Sequence, residues 1–322
     1  MRNAFIDTIL TACREREDIF ILSGDAGLGV FDDFKKDFPE RFLNLGVAEQ
    51  NTISFAAGLS MSGHKVLVYN IIPFLLYRCY EQVRNDICYQ QLPIIMAGIG
   101  CGLTYAPQGM THYSVEDIGI ARGLPNLTVL SPADPIEAKS AALFALQSDA
   151  PVYVRLAKRG EPNLHTDHTL DIGQPLVLAE GERIAVLCHS VIAEEALKAR
   201  TKLANVGIYP RIISIPMLQP MNKAALVEML KDVRIVLSVE EHYVSCGLGA
   251  LLLELVHEFG LNHTLLRLGL PDHFIHDIYN TAGMRAHFGI DANGIAAAVH
   301  RLLDQKIIPA GAEHAYPASL QP

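Results

Sequence analysis

Short apolar runs alternate with longer amphipathic stretches along the chain, and this alternation is typical of a parallel α/β protein. In the first half, the pattern predicts strands at 19–22, 65–69, 93–98, 128–130 and 152–156, and helices at 48–61, 77–89, 115–122 and 135–147. Each predicted strand is followed by a helix or by a long loop. The first half therefore indicates one parallel-sheet domain.

The rhythm stops at a polar stretch, residues 159–182, which is rich in Gly, Pro, His and Asp. Such a change of composition is typical of a domain boundary. Beyond it, the pattern predicts strands at 184–188, 211–215, 235–239 and 264–268, and helices at 192–205, 222–231, 248–259 and 295–303. The tail from Ile308 is predicted to be disordered or loosely packed.

The predicted fold class is therefore α/β, with two parallel-sheet α/β domains in series. We place the first domain at 1–165, the linker at 166–180 and the second domain at 181–322. A chain of 322 residues, half of them hydrophobic, is long enough to bury two cores of ordinary size.

Composition and charge narrow the class of protein. The formal net charge of −9 is spread along the chain, and no basic cluster is available to bind a nucleic-acid backbone. The N-terminal stretch turns charged too early for a signal peptide, and no apolar run approaches the roughly 20 residues of a membrane helix. Six cysteines without C-x-x-C spacing fit reduced thiols better than disulfides or zinc, and the histidines form no metal-binding pair. We therefore expect a cytoplasmic protein with no nucleic-acid or membrane partner and no metal site of its own.

Ligands in open parallel sheets bind beyond the carboxyl ends of the strands, so the loops at 23–27, 46–51 and 109–112 are the candidates. Glu49 begins a helix whose next turns are apolar. One interpretation is a first-turn carboxylate favoured by the helix dipole. The other is a buried acid, in its protonated form, that hydrogen-bonds a ligand nitrogen.

For His112, and for a basic cluster after a strand, the sequence allows both a structural role and a role in binding or catalysis. His112 lies in a Gly-rich loop and is either structural or a site residue, because the glycines allow a ligand to approach closely. Arg155, Lys158 and Arg159 follow a strand directly. They form either a solvated edge of the linker or a seat for a substrate phosphate.

Four segments carry a resemblance to a known family. They are RFLNLGVAEQNTISFAAGLSMSGHKVLVY, YEQVRNDICYQQLPIIM, GMTHYSVEDIGIARGLPNLTVLSPADPIEA and RIVLSVEEH…GLGALLLELV. The first three resemble the pyrimidine-binding domain of the transketolase and deoxyxylulose-phosphate synthase family, and the fourth resembles its C-terminal domain. The A-E-Q and G-x-T-H motifs in this order are highly specific.

The resemblance implies the small, C-terminal subunit of a split transketolase, which uses thiamine diphosphate and Mg²⁺ to move a two-carbon ketol unit from a ketose or ketose phosphate to an aldehyde. It implies that Glu49 hydrogen-bonds N1′ of the cofactor aminopyrimidine and that His112 contacts substrate oxygens and moves protons. Arg155 or Lys158 would lie near a substrate phosphate, and Asp25 aligns with an acidic residue of the same domain that contacts substrate.

The chain departs from the family at two places. An aspartate is frequent in the family where Gln108 stands, so Gln108 is an expected substrate contact that puts the preferred sugar in question. A phenylalanine is common where Leu75 stands, and the ring that stacks on the aminopyrimidine stays open. The expected cofactor contacts are Glu49, Phe74, Leu75, Tyr77 and Arg78.

The family binds the diphosphate and its metal through a G-D-G motif on another domain, and the nearest string here is S-G-D-A-G at 23–27. The resemblance therefore implies a large partner subunit with that domain, in an α2β2 heterotetramer. Two alternatives stay open: the β subunit of a 2-oxoacid dehydrogenase E1, and a non-catalytic scaffold paralogue. A nucleotide-binding module is disfavoured because no G-x-G-x-x-G joins a strand to a helix.

Overall fold

The computed structural model describes residues 1–27, 29–158, 160–167 and 169–304, and the predicted tail from Ile308 lies outside them. These residues form two α/β domains in series, one on a seven-stranded sheet and one on a five-stranded sheet, which confirms the predicted fold class. The strands are β1 (Ile19–Ser23), β2 (Phe42–Asn44), β3 (Lys65–Ile71), β4 (Ile94–Ile99), β5 (Thr128–Leu130), β6 (Val152–Leu156), β7 (Leu176–Ala179), β8 (Arg183–Cys188), β9 (Arg211–Ser214), β10 (Met217–Gln219), β11 (Val233–Tyr243) and β12 (Thr264–Leu270). The α-helices are α1 (Arg2–Glu15), α2 (Asp32–Asp37), α3 (Glu49–Met61), α4 (Tyr80–Gln82), α5 (Asp117–Arg122), α6 (Pro135–Gln147), α7 (Ala193–Ala204), α8 (Lys223–Met229), α9 (Leu248–Glu258), α10 (Thr281–His287) and α11 (Ala292–Asp304).

The first sheet has the strand order β10-β5-β6-β4-β3-β1-β2. The strands from the first half of the chain run parallel. The central strands β3 and β4 are buried along almost their whole length, as expected for parallel strands that helices cover on both faces. At one edge, β10 pairs antiparallel with β5, so a strand from the second half of the chain completes the first sheet.

The second sheet has the order β12-β11-β8-β9-β7. Its strands are parallel except β7, which pairs antiparallel with β9 at the edge. The linker predicted at 166–180 thus includes a strand of the second domain. Ahead of it, the backbone amides of Leu164 and His165 donate to Asp134 Oδ2, so the connection follows the surface of the first domain.

The hydrophobic cores cross the domain boundary. Leu226 of α8 and Leu252 of α9 are buried in the same cluster as the strands of the first sheet. In the opposite direction, Leu103 and Tyr113 from the loops of the first domain are buried in the cluster of the second domain. The two domains therefore share apolar packing and do not merely touch.

No helix in the described ranges is both long and apolar enough to cross a lipid bilayer. All six cysteines are free thiols, five of them buried. The cytoplasmic location expected from them stays a prediction.

A buried histidine lies at the contact between the two domains. His189 Nδ1 lies 2.9 Å from the hydroxyl of Ser131, and its Nε2 lies 3.7 Å from Glu240 Oε2. Burial, aided by the nearby Arg155 guanidinium, lowers the pKa of His189 to about 3. The imidazole is therefore neutral in the folded protein near neutral pH.

We expect this histidine to make the fold sensitive to acid. In the unfolded chain the histidine pKa is about 6.5, so below this pH the unfolded state binds a proton that the folded state does not. His189 thus lowers the free energy of unfolding by up to about 1.4 kcal/mol per pH unit as the pH falls from about 6.5 toward 3. Urea unfolding of a His189→Gln variant at pH 7 and pH 5 should show a smaller acid-induced loss than the wild type. The same replacement at the exposed His300 should not.

Candidate active site

Glu49 is the first residue of α3, which follows the edge strand β2. Apolar and small residues such as Ile53, Ala56 and Ala57 bury one side of this helix. They place Glu49 at the protein interior, where only 7 % of its surface is exposed. The first turn of a helix favours a negative charge, but a buried carboxylate is costly unless it is paired.

Arg78 provides that pair. Its Nη1 donates to Glu49 Oε2 at 2.9 Å, although the arginine side chain itself is 44 % exposed. The Arg78 carbonyl accepts a hydrogen bond from Gln50 Nε2 at 3.1 Å, which ties this turn to α3. Among the described residues, no group donates to Glu49 Oε1, so this oxygen is available to a ligand.

Phe74 connects this ion pair to the Gly-rich loop. The Arg78 guanidinium carbon lies 4.5 Å from the centre of the Phe74 ring, a cation–π distance. Phe74 also meets His112 edge to face, with ring centres 5.4 Å apart. His112 Nδ1 lies 2.9 Å from the Thr111 hydroxyl. The structure thus brings Glu49, Arg78, Phe74 and His112 into one continuous cluster.

The other two expected cofactor contacts point elsewhere. Leu75 is buried in the core of the first domain, with 2 % of its surface exposed. Tyr77 donates its hydroxyl hydrogen bond to Glu116 Oε2 at 2.9 Å. Of the residues 74, 75 and 77, Phe74 is therefore the one beside the Glu49–Arg78 pair.

Glu116 is a residue that sequence reasoning missed, although it lies in the string GMTHYSVED. The amide of Val115 also donates to it, at 3.2 Å. Burial raises the pKa of the Glu116 carboxyl, even though these two donors favour its ionised form. Burial, together with the neighbouring carboxylates of Asp117 and Glu116, raises the pKa of Tyr77. The hydrogen bond from Tyr77 to Glu116 links the helical turn that carries Phe74 and Arg78 to the Gly-rich loop segment.

The expected substrate residues Asp25, Gln108 and Lys158 are not buried. Lys158 Nζ lies 5.5 Å from the centre of the Tyr105 ring. The backbone N–H of Gln108 donates to the Tyr105 carbonyl at 2.9 Å. Lys158 and Gln108 therefore approach the same turn of the Gly-rich loop. In the described part of the chain, no hydrogen bond or ring contact joins these three residues to the cluster around Glu49.

Arg155 does not face a substrate. It is fully buried, its Nε donates to Asp117 Oδ2 at 2.7 Å, and its Nη2 donates to the carbonyls of Ser114 and Glu241. The expectation that Arg155 seats a phosphate is wrong, because its charge is neutralised inside the molecule. Lys158 keeps that role as a prediction, and Arg159 lies outside the described residues.

Comparison with known families accounts for both domains. The family model described as "Transketolase, pyrimidine binding domain" matches residues 1–162, and the one described as "Transketolase, C-terminal domain" matches residues 173–295. The chain belongs to the transketolase family. This confirms the resemblance drawn from the A-E-Q and G-x-T-H motifs.

The chain covers different shares of two of its relatives. A subunit of an apulose-4-phosphate transketolase from Actinobacillus succinogenes is 33% identical over 297 residues, covering 92% of this chain and 96% of the relative. A 1-deoxy-D-xylulose-5-phosphate synthase 1 from Geobacter sulfurreducens is 33% identical over 313 residues, covering 96% of this chain but 49% of the relative. This transketolase-family chain therefore matches one relative end to end and the other over about half its length.

A solved structure described as "Split gene transketolase, inactive beta4 tetramer" has the same fold. It superposes with a TM-score of 0.84 at 30% identity, and the match covers 95% of this chain and 98% of that one. The similarity includes both domains and their arrangement in one transketolase-family chain.

Proposed function

We propose that this chain is the small subunit of a split, thiamine-diphosphate-dependent transketolase that transfers a two-carbon ketol unit from a ketose or ketose phosphate to an aldehyde. The observation that carries the proposal is the buried Glu49 at the start of α3, with one carboxylate oxygen paired and the other available. Two relatives of the chain are a transketolase subunit and a deoxyxylulose-phosphate synthase, which favours sugar chemistry over that of a dehydrogenase E1.

The residues of the cluster fit the aminopyrimidine half of the cofactor. Glu49 Oε1 can take a hydrogen bond from a protonated ring nitrogen, and the half-buried Phe74 offers a ring face or edge beside it. Arg78 bonds the other carboxylate oxygen, Oε2, so the two donors can bind Glu49 together. When bound, thiamine diphosphate supplies the carbanion chemistry that breaks and forms carbon–carbon bonds next to a carbonyl.

The side chains of this chain then have separate tasks. Glu49 holds or releases a proton at its carboxylate. His112, with Nδ1 near the Thr111 hydroxyl, presents Nε2 as donor or acceptor for substrate oxygens. Gln108 and Lys158 lie on and beside the same loop, where Gln108 can hydrogen-bond a hydroxyl and Lys158 can bind a phosphate as a point charge.

The diphosphate and Mg²⁺ are proposed to bind mainly to a partner subunit. Within the described residues, no group of three His, Cys, Asp or Glu side chains is arranged to hold a metal ion. Apolar side chains are exposed just before and along α3, among them Val47 at 73 % and Met61 at 61 %. Exposed apolar side chains along this surface, with Val47 directly beside Glu49, support a partner there. An α2β2 assembly would bring each of these half-sites together with a diphosphate-binding domain.

Calorimetry with thiamine diphosphate and Mg²⁺ tests this proposal. We expect no measurable binding by this chain alone and tight binding when a subunit with the diphosphate-binding domain is added, because each chain carries half of the site. Tight binding by the lone chain would contradict a shared site. In the mixture, Phe74→Ala is expected to weaken binding by roughly 3- to 10-fold through the lost aromatic contact, whereas Phe259→Ala, at the distant end of α9, should leave it unchanged.

A further inference from the structure

The motif V-E-E-H lies near the end of strand β11 and places three polar residues in succession inside the protein: Glu240, Glu241 and His242. Glu240 serves its own domain, because its carboxylate accepts hydrogen bonds from the amides of Leu248 and Gly249 at the start of α9. Glu241 and His242 face the first domain instead. His242 Nε2 accepts a hydrogen bond from the amide of Gly119 at 3.3 Å.

The Glu241 carboxylate joins the second domain to the Gly-rich loop of the first. Its Oε2 accepts a hydrogen bond from the Leu103 amide at 3.0 Å, and its Oε1 accepts one from Arg285 Nε at 2.5 Å. The Glu241 carbonyl accepts from Arg155 Nη2, which also donates to the Ser114 carbonyl. The Glu241 carboxylate therefore holds the Leu103 end of the segment 103–114, which contains Gln108 and His112. Arg155 links the Ser114 end to the main-chain carbonyl of Glu241.

Further contacts from the second domain hold the same segment. The Thr281 hydroxyl donates to the Leu103 carbonyl at 3.0 Å. Tyr113 follows His112 directly, and its hydroxyl donates to the carbonyl of Ile275 at 3.2 Å. With Leu103 and Tyr113 buried in the second core, the loop is packed as a part of the second domain.

Gly102 permits the close approach of Glu241. It has a positive φ of 54°, and a Cβ added there would lie 2.2 Å from Glu241 Oε2. No side chain fits between the two groups, so the backbone at 102–103 is set against the carboxylate.

We propose that Glu241 is a positioning residue for the substrate loop: its carboxylate fixes the backbone at Leu103 and so sets the place of His112. This inference rests on the proposed function for its catalytic consequence but not for its structural one. Glu241 acts through the loop and does not touch the reacting atoms. The C-terminal domain thereby contributes to the geometry of a site whose side chains all belong to the first domain.

Hydrogen–deuterium exchange of the full chain tests whether Glu241 fixes the loop backbone. Glu241→Gln keeps the size of the side chain but removes the charge that pairs with Arg285. We expect amides of 101–115 to exchange at least about tenfold faster, because opening of the loop becomes easier, while amides of α3 stay unchanged. The matched control is Glu254→Gln, which breaks another ion pair between the domains, with Arg122, outside the loop. Equal exchange of 101–115 in wild type and Glu241→Gln would overturn the proposal.

A double-mutant cycle in the assembled holoenzyme tests the catalytic half. A misplacement of about 1 Å can cost about 100-fold in rate, so Glu241→Gln should lower kcat/KM by about this factor. In a His112→Asn background the same change should cost less than about threefold, because the group that Glu241 positions is already gone. An equal cost in both backgrounds would show that Glu241 stabilises the fold without positioning His112.

A second variant covers the case in which Glu241→Gln does not fold. Thr281→Val removes only the hydrogen bond to the Leu103 carbonyl and should give the same pattern at smaller amplitude. If the assembled enzyme transfers no ketol unit at all, the proposed function fails. The exchange experiment on the chain alone then still decides whether Glu241 holds the loop.

Discussion

Replacing Glu49 by glutamine is expected to lower the turnover of the assembled enzyme by about 10²- to 10⁴-fold, the range typical of a lost general acid–base group. Glutamine has the same shape and can still hydrogen-bond Arg78, but it can neither hold nor release a proton. The loss should appear in kcat at saturating thiamine diphosphate, because the chemical step and not only binding depends on the carboxylate.

A glutamate outside the cluster provides the control. Glu81 is exposed on the neighbouring helical turn, and Glu81→Gln should leave kcat unchanged. Full turnover of the Glu49→Gln enzyme would remove the main support for catalysis in this chain. It would revive the interpretation of the chain as a non-catalytic scaffold.

Replacing Arg155 by methionine is expected to reduce the free energy of unfolding by about 3–5 kcal/mol, the usual effect of removing one partner of a buried ion pair. The Asp117 carboxylate would stay fully buried, with only the Tyr153 hydroxyl at 2.8 Å as a strong donor. In a chain of 322 residues such a loss lowers the melting temperature by roughly 4–7 °C.

Thermal unfolding of two further variants separates the ion pair from general packing. Lys231→Met removes an exposed partner of Glu228 and should change stability by less than about 0.5 kcal/mol. In the double variant Asp117→Asn/Arg155→Met no charge is left unpaired, so it should recover part of the loss. Identical melting of Arg155→Met and Lys231→Met would rule out a structural role for the buried pair.

Periodicity predicted most of the central strands and helices of both domains, but it missed the 14-residue helix α1. The strand 128–130 and the helix 135–147 coincide with β5 and α6. It failed at the edge strands β7 and β10, which both pair antiparallel with partners distant in the sequence. The helix predicted at 77–89 is instead a series of π-helical turns around α4.

The candidate site was predictable only as far as local motifs extend. Glu49 and His112 lie in motifs, and the structure joins them through Phe74 and Arg78. Arg155 was misassigned because a basic residue after a strand looks the same in sequence whether it faces solvent or an acid from another element. The acid that pairs with it, Asp117, is 38 residues away and reaches it only through the tertiary fold.

The antiparallel strand β10 affects whether the chain can be divided between its two domains. A chain break between the two domains would separate β10 from β5 and expose the edge of the first sheet, with the open hydrogen-bonding groups that promote aggregation. It would also remove the cover that α8 and α9 give to the first core. We therefore expect the two separated domains to aggregate more readily than the intact chain, which favours keeping both on one polypeptide.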